Sequence, residues 1–283
     1  MKVMIIGAGQ MGGGIAQVMA SIGKTTYLND IDIDLVNKRL AFIESILAKD
    51  VSKGRISAEQ KAAAVHNLIP SVDLRDAVEC DIAIEAAVEK MEVKAEIFKK
   101  LDLITKPSCV LATNTSSLPI TRIAACTRRP EKVIGMHFTN PVPVMKLVEI
   151  IRGQSTDEET YTFVRDLALE MGKTPVLVRD VPGFVANRIL QVMINEAIYC
   201  LSEGVASAED IDTVMKLGMN HPMGPLQLAD LIGLDTVLSI LEVMYKGYED
   251  PKYRPCPLLQ QYVRDGRLGR KSGRGFYEYP DNS

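Results

Sequence analysis

A short apolar run leads directly into a glycine-rich turn at the start of the chain. Lys2 to Ile6 precedes the hexapeptide GAGQMG at residues 7–12, and apolar residues then recur at helical spacing up to Gly23. This order predicts a strand, a tight turn and a helix. The first glycine of such a turn permits the reversal, the second leaves room for a pyrophosphate, and the third lets helix and strand pack closely. The segment therefore favours a βαβ unit that binds a dinucleotide.

An acidic residue follows the second predicted strand. The run from Thr25 to Leu28 ends in Asn29 and Asp30, where a carboxylate can accept hydrogen bonds from ribose hydroxyls. The same charge repels a 2′-phosphate, and Ile31 stands where an arginine could have neutralised it. The sequence favours NAD over NADP, with a βαβ unit that binds no ligand as the alternative.

Apolar runs and helical stretches alternate as far as residue 180. Helices are predicted at 30–54, 57–69, 90–104, near 120–127 and at 158–171, and strands at 81–87, 109–117, 133–138, 145–153 and 174–180. Buried strands that alternate with helices favour a parallel sheet covered on both faces. We therefore predict a Rossmann-like, mostly parallel α/β domain over residues 1–180.

The character of the chain changes after Val181-Pro182-Gly183, because no comparable strand-like run follows. Helices are predicted at 182–204, 207–218, 222–247 and 258–266. Two of them are apolar around much of their circumference, as helices are when they lie in a core or a subunit interface. We predict an all-helical C-terminal domain over residues 181–283. A homodimer through this domain and a monomer with a tight helical core both fit the pattern.

Composition excludes several classes of partner. A net charge of −3 gives no bias toward nucleic acid, and no apolar window is long enough to span a bilayer. The apolar N-terminal run is too short for a signal peptide. Five cysteines are scattered without Cys-x-x-Cys spacing, which is typical of a reducing compartment. We expect a cytoplasmic protein without nucleic-acid or membrane partners, and without a metal, since no metal-ligand spacing occurs.

Polar residues follow three of the predicted strands, at the carboxyl ends where ligands of open α/β sheets bind. They lie at 85–89, 114–117 and 137–140. His137 is the best placed acid or base, because imidazole titrates near neutrality. Glu149 follows a turn with two prolines, and a hairpin-like return could bring it beside the imidazole and fix the tautomer. The alternatives are a packing role for His137 and a surface position on an edge strand for Glu149.

Two further polar residues are weaker candidates on spacing alone. Ser116 could bond a substrate oxygen, or it could cap the next helix. Asn187 lies near the start of the first helix of the second domain, where asparagines usually face solvent. Of the other two histidines, His66 is interpreted as a partly exposed helix residue and His221 as structural.

Seven segments, in order along the chain, carry a resemblance to a known family. They are GAGQMGGGIAQ, IEAAVEKMEVK, ATNTSSLPI, GMHFTNPVPVMKLVEII, PGFVANRI, NHPMGPLQLADLIGLD and GRKSGRGFYEY. With them the whole chain resembles the short-chain L-3-hydroxyacyl-CoA dehydrogenase family, of the bacterial 3-hydroxybutyryl-CoA dehydrogenase type. The resemblance implies reversible hydride transfer between NAD and C3 of a short-chain 3-hydroxyacyl-CoA or 3-oxoacyl-CoA such as acetoacetyl-CoA. It also implies a homodimer formed through the helical domain.

The resemblance assigns roles to individual residues. It makes His137 the general acid or base, Glu149 its orienting partner, and Ser116 and Asn187 contacts to the reacting end of the substrate. The implied cofactor contacts are Gly7, Gly9, Gln10, Met11, Gly12, Asp30, Glu89, Lys94, Ser116, Asn140 and Lys271. The implied substrate contacts are Ser116, Asn140, Asn187, Ser45 and Lys53, the last two toward CoA.

Two other classes of protein remain compatible with the sequence. One is a related two-domain hydroxyacid dehydrogenase that acts on a free acid and shares the cofactor domain and the histidine. The other is a non-catalytic NAD-binding descendant of such an enzyme. The joint presence of Ser116, His137, Glu149 and Asn187 argues against the second class, since a protein without catalysis does not need all four.

Overall fold

The computed structural model describes residues 1–280 and divides after Asp180 into two compact units. The strands of the first unit are β1 Lys2–Ile6, β2 Thr25–Asn29, β3 Leu68–Ser71, β4 Ile82–Glu85, β5 Val110–Thr113, β6 Val133–Phe138, β7 Leu147–Arg152 and β8 Thr174–Arg179. Its helices are α1 Gln10–Ser21, α2 Ile33–Ser52, α3 Ala58–His66, α4 Met91–Ile104, α5 Ile120–Ala124 and α6 Glu158–Glu170.

The eight strands form one sheet in the order β3-β2-β1-β4-β5-β6-β7-β8. All pairs from β3 to β6 are parallel, so the carboxyl ends of these strands meet at one edge. The residues of β4 and β5 are buried throughout, because helices cover both faces of the sheet centre. The predicted Rossmann-like, mostly parallel sheet is confirmed.

The exception to parallel pairing lies at β7, which runs antiparallel to β6. In this register His137 on β6 stands directly opposite Glu149 on β7. Directly opposed residues of an antiparallel pair project to the same face, where their side chains can touch. The return predicted after Pro141 and Pro143 therefore exists as a strand pair.

The predicted helix at 57–69 is too long, and a strand was missed. Helix α3 ends at His66, and β3 follows within two residues as the edge strand beside β2. Pro70 lies inside β3, and an edge strand tolerates proline because one of its sides makes no ladder hydrogen bonds. A four-residue run is too short for its periodicity to separate it from the end of a helix.

The second unit is helical, as predicted. Its helices are α7 Ala186–Ser202, α8 Ala208–Gly218, α9 Pro225–Ile232, α10 Leu234–Tyr248 and α11 Pro257–Arg264. The single helix predicted at 222–247 is wrong, because Gly233 adopts a φ of 100° between α9 and α10 and breaks the helical path. Within residues 1–280, no helix combines the length and the apolar character that a bilayer crossing requires.

Candidate active site and cofactor site

The glycine turn between β1 and α1 has the geometry of a phosphate-binding turn. Gly7 has a φ of 106°, and its N–H donates to the carbonyl of Asn29 at 2.7 Å. A Cβ on Gly12 would lie 1.8 Å from the Gly7 carbonyl oxygen, so helix and turn touch there. A Cβ on Gly9 would meet no atom within 4 Å. Gly9 thus leaves open space at a helix N-terminus, where backbone N–H groups and the helix dipole favour an anion.

A cavity of about 1090 Å³ opens beside this turn, and Gly7, Gly9 and Asp30 line it. The Asp30 carboxylate accepts hydrogen bonds from the N–H groups of Ala8 and Ile31, each at 2.7 Å. These bonds hold the carboxylate against the turn, at the edge of the cavity. An open glycine surface, a helix start and a fixed carboxylate are together the donor and acceptor set that a dinucleotide needs. The residues present fit NAD.

Two more predicted cofactor residues lie at the start of α1. The side chain of Gln10 donates to the Asn140 side-chain oxygen at 3.1 Å, which ties the first turn of α1 to the loop after β6. Met11 packs against the core of the first unit, so it can offer a ligand its backbone but little of its side chain. The loop that carries Asn140 is therefore held beside the glycine turn.

A buried charge cluster lies at the end of β4. Lys94, only 1% exposed, donates to both carboxylate oxygens of Glu85, at 2.7 and 2.9 Å. Glu85 is fully buried and also accepts from the Thr113 hydroxyl at 2.7 Å. Removing one partner of such a pair costs about 3–5 kcal/mol, because it leaves a charge buried without compensation. The Lys94 ammonium group is therefore buried in an ion pair with Glu85, which the sequence did not indicate.

Glu89 connects this cluster to the loop after β5. One of its carboxylate oxygens lies 3.3 Å from Lys94, and the other accepts from the Ser116 and Ser117 N–H groups and the Thr115 hydroxyl. Burial raises the pKa of Glu89, but the Lys94 charge and these hydrogen bonds outweigh it and hold the pKa below its ordinary value. An ionised Glu89 therefore fixes the backbone of the loop that presents Ser116.

His137 lies between two of the predicted partners. Its Nδ1 is 2.8 Å from a Glu149 carboxylate oxygen, and its Nε2 is 3.1 Å from the Ser116 hydroxyl. Glu149 is 2% exposed, so its carboxylate meets the imidazole out of water. When Nδ1 carries the ring proton, its N–H donates a hydrogen bond to Glu149, and Nε2 is the basic nitrogen on the Ser116 side. The three side chains form the arrangement of an oriented acid/base histidine.

Four further predicted residues are described within their own units. Asn187 is buried in the first turn of α7, where its side-chain oxygen accepts a 3.4 Å hydrogen bond from Gln191. Lys271 forms an ion pair with Asp235 within the second unit. Ser45 is exposed on α2, and Lys53 is exposed just after that helix.

Sequence reasoning placed Glu85 at a polar strand end without giving it a role, and it did not consider Arg75. A glutamate that ends a fully apolar run could have suggested a buried, paired carboxylate, and Glu85 is one. Arg75 lines the same cavity as Asp30, but it lies on a 3₁₀ turn, Leu74–Ala77, after the strand that was missed. Among residues 1–280 there is no group of His, Cys, Asp and Glu side chains that could hold a metal ion.

Comparison with known proteins agrees with this geometry. The model of the 3-hydroxyacyl-CoA dehydrogenase NAD binding domain matches residues 2–181, and the model of the C-terminal domain of the same family matches residues 183–279. The chain is 56% identical to a probable 3-hydroxybutyryl-CoA dehydrogenase of Bacillus subtilis, over 100% of this chain and 98% of the relative. It is 52% identical to the 3-hydroxybutyryl-CoA dehydrogenase of Bradyrhizobium diazoefficiens, over 98% of this chain and 95% of the relative.

A solved structure of a similarly named enzyme has the same fold as this chain. The crystal structure of an (S)-3-hydroxybutyryl-CoA dehydrogenase from Ralstonia eutropha superimposes with a TM-score of 0.97 at 48% identity, covering 99% of both chains. Fold, site and comparisons define an NAD-dependent oxidoreductase. The chain belongs to the 3-hydroxyacyl-CoA dehydrogenase family, so the resemblance carried by its motifs and the prediction of NAD are confirmed.

Proposed function

We propose that this protein catalyses the reversible oxidation of 3-hydroxybutyryl-CoA to acetoacetyl-CoA with NAD. The observation that carries the proposal is the His137 imidazole, held between the Glu149 carboxylate and the Ser116 hydroxyl. The names of the relatives at 52–56% identity support the substrate. They do not favour the alternative of a dehydrogenase for a free hydroxy acid.

The proposed chemistry centres on a proton held by His137. When bound, NAD would accept or supply the hydride at C3 of the substrate. In oxidation, Nε2 of His137 takes the proton of the C3 hydroxyl, and in reduction it returns that proton. Glu149 stabilises the imidazolium that forms in between, since a carboxylate at Nδ1 favours the charged ring.

An electron-rich oxygen develops at C3 during the reaction, and fixed donors would stabilise it. The proposed donors are the Ser116 hydroxyl, the Asn187 amide and the protonated imidazole of His137. Fixed donors of this kind need little reorganisation during the reaction, and removing one typically costs about 10² to 10³ in kcat. The hydrogen bonds from the loop 115–117 to Glu89 support the preorganised position of Ser116.

The proposed binding residues divide into contacts to the cofactor and contacts to the substrate. Cofactor contacts would come from the glycine turn with Gln10 and Met11, and from Asp30, Glu89, Lys94, Ser116, Asn140 and Lys271. Substrate contacts would come from Ser116, Asn140 and Asn187, with Ser45 and Lys53 toward CoA. Lys94 would act mainly through Glu89, since its ammonium group is buried against carboxylates.

We further propose a homodimer formed through the helical domain over residues 181–283. Large apolar side chains at and after the end of α8 support it, because Val214, Leu217 and Met219 are 60%, 82% and 61% exposed. An interface would remove this apolar surface from water. Light scattering should give twice the chain mass, and a chain-mass value at micromolar concentration would contradict the dimer.

A cytoplasmic location is proposed on the basis of the cysteines. All five are free thiols, at positions 80, 109, 126, 200 and 256. Free thiols persist in reducing compartments, whereas secreted proteins commonly pair them. Fractionation of the source cell would test the location, and recovery of the protein outside the cytoplasm would contradict it.

The substrate is tested by comparing a thioester with its free acid. Purified protein is mixed with NADH and either acetoacetyl-CoA or acetoacetate, and loss of NADH is followed by absorbance. We expect turnover with the thioester and little with the free acid. Turnover of acetoacetate without turnover of acetoacetyl-CoA would support the free-acid dehydrogenase instead. Binding of NADH without turnover of either compound would support the non-catalytic descendant.

A further inference from the structure

The cavity that Asp30 lines is also lined by an arginine, although the residue directly after Asp30 in the sequence is Ile31. Strands β2 and β3 are paired so that Asn29 stands beside Ser71, and the Asp30 N–H donates to the Ser71 carbonyl. The chain after Ser71 therefore continues next to Asp30. Asp73 and Arg75, two and four residues further on, line the same cavity as Asp30.

The guanidinium of Arg75 is already engaged by Asp73. Its Nε and one terminal nitrogen donate to the same carboxylate oxygen, at 2.8 and 2.5 Å. The hydrogen bonds from Arg75 hold the pKa of Asp73 below its ordinary value, so the pair is ionised at neutral pH. The positive charge that could attract a phosphate is thereby compensated within the pair.

The charges around the cavity add to this effect. Four carboxylates and two cations line it, namely Asp30, Asp73, Glu92, Glu96, Arg75 and Lys100. The four carboxylates outnumber the two cations, so the lining is net negative and disfavours an added negative charge. NADP differs from NAD by a 2′-phosphate on the adenosine ribose, so the lining penalises NADP.

We propose that Asp73 is a second determinant of cofactor choice, which acts by holding Arg75 in an ion pair and so denying it to the 2′-phosphate of NADP. Asp30 repels that phosphate directly, and among residues 1–280 Asp73 pairs with the lining arginine that could offset the repulsion. The inference rests on the proposed use of NAD and not on the identity of the acyl substrate.

The sharpest test is Asp73→Asn, because it removes the negative charge and keeps the hydrogen bond with which the side chain caps the 3₁₀ turn. The other oxygen of Asp73 accepts from the Arg75 backbone N–H at 2.9 Å, and asparagine caps a helical turn as well as aspartate does. Dissociation constants for NADH and NADPH are measured by fluorescence titration without acyl substrate. We expect the preference for NADH to fall about fivefold, the modest size typical of an exposed ion pair.

Two control variants make the result specific. Glu79→Gln removes an exposed carboxylate just beyond the 3₁₀ turn and outside the cavity lining, and the preference should stay unchanged. Arg75→Gln combined with Asp73→Asn should remove the gain in NADPH affinity, since the freed guanidinium is then absent. An Asp73→Asn variant with unchanged NADPH affinity would overturn the proposal. A gain that persists without Arg75 would overturn it as well.

The titration separates this inference from the proposed function. If the wild-type protein binds NADH but reduces no acetoacetyl-CoA, the proposed substrate fails and the role of Asp73 is still decided by the ratio of dissociation constants. If the wild-type protein binds no NADH, both proposals fail. A selective loss of NADPH affinity in Arg75→Gln alone would show that Arg75 already serves the phosphate, which would overturn the proposal.

Discussion

His137 is oriented by contacts at both ring nitrogens. Glu149 stands at Nδ1 and Ser116 at Nε2, at hydrogen-bonding distances of 2.8 and 3.1 Å. Because the two contacts lie on different sides of the ring, they fix its rotation as well as its position. Ser116 is fixed in turn by Glu89, which accepts from its backbone N–H at 2.8 Å. The orientation of one imidazole thus depends on two carboxylates from different parts of the sheet.

Replacement of His137 by glutamine should lower kcat by about 10²- to 10⁴-fold, the usual range for a lost acid or base. Glutamine has a similar reach and can still bond Glu149, so the fold should persist. The measurement is kcat with acetoacetyl-CoA and NADH, together with the circular dichroism spectrum. His66→Gln is the matched control, because His66 is exposed on α3, and its kcat should stay normal. Near-normal turnover in the His137 variant would refute its assignment.

Reasoning from residue types predicted the pairing of His137 with Glu149 but not the buried ion pair of Lys94 with Glu85. His137 and Glu149 could be proposed as a pair because a polar residue at a strand end and a return strand are visible in sequence. The contact of Lys94 with Glu85 could not, since it joins a helix to a strand end through side-chain packing. The position of Arg75 on the same cavity as Asp30 could not either, because it depends on the pairing of β2 with an unrecognised strand.

The start of α1 combines a binding surface with a packing contact. Gly9 faces open space, whereas Gly12 presses against the turn at Gly7. The two glycines are three residues apart in one motif, yet only the second is required by the fold itself. In the proposed NAD site, Gly9 would therefore serve ligand binding, whereas Gly12 serves the packing of the helix.

Alanine at Gly9 and alanine at Gly12 should have different effects. Gly9→Ala adds a methyl group in open space, so the melting temperature should change little while NADH affinity falls by about tenfold or more, because the pyrophosphate loses its close approach. Gly12→Ala forces α1 away from the turn, so both the melting temperature and NADH affinity should fall. Thermal unfolding and NADH titration measure the two effects. Normal stability in Gly12→Ala would contradict the packing role.

The helices and strands that could be predicted are those with long or strongly bounded patterns. The strand β6 was predicted at its observed bounds, 133–138, because polar or helical segments flank its apolar run. The strand β3 was missed because four residues give too little periodicity. The break at Gly233 was missed because the apolar spacing continues across it, and a single backbone angle separates α9 from α10.

Each of the two units has its own core, and the thiols are distributed between them. Cys80 and Cys109 are buried in the first unit and Cys256 in the second, whereas Cys126 and Cys200 are partly exposed. Burial raises the pKa of Cys80 to about 12 and that of Cys109 to about 11. Since the thiolate is the reactive form, buried thiols with raised pKa values are inert near neutral pH.

The native protein should therefore expose at most two reactive thiols to a disulfide reagent at pH 8. Cys126 and Cys200 should react on mixing, and all five should react after denaturation in guanidinium chloride. Replacing Cys126 by serine should lower by one the number of thiols that react on mixing, whereas replacing Cys109 by serine should leave that number unchanged. Three or more fast equivalents in the native wild type would contradict the burial of the two cores.

The contact between His137 and Glu149 depends on the register between β6 and β7, because successive side chains of a strand point to opposite faces of the sheet. His137 faces Glu149 because the strands pair at that register, and a shift of one residue would place Val148 or Ile150 opposite the imidazole. The carboxylate would then point to the other face of the sheet. The loop at 139–146 can gain or lose residues in evolution as long as the register of β6 with β7 stays the same. Within the paired strands, a single insertion would separate the His137 imidazole from the Glu149 carboxylate even if every residue type were retained.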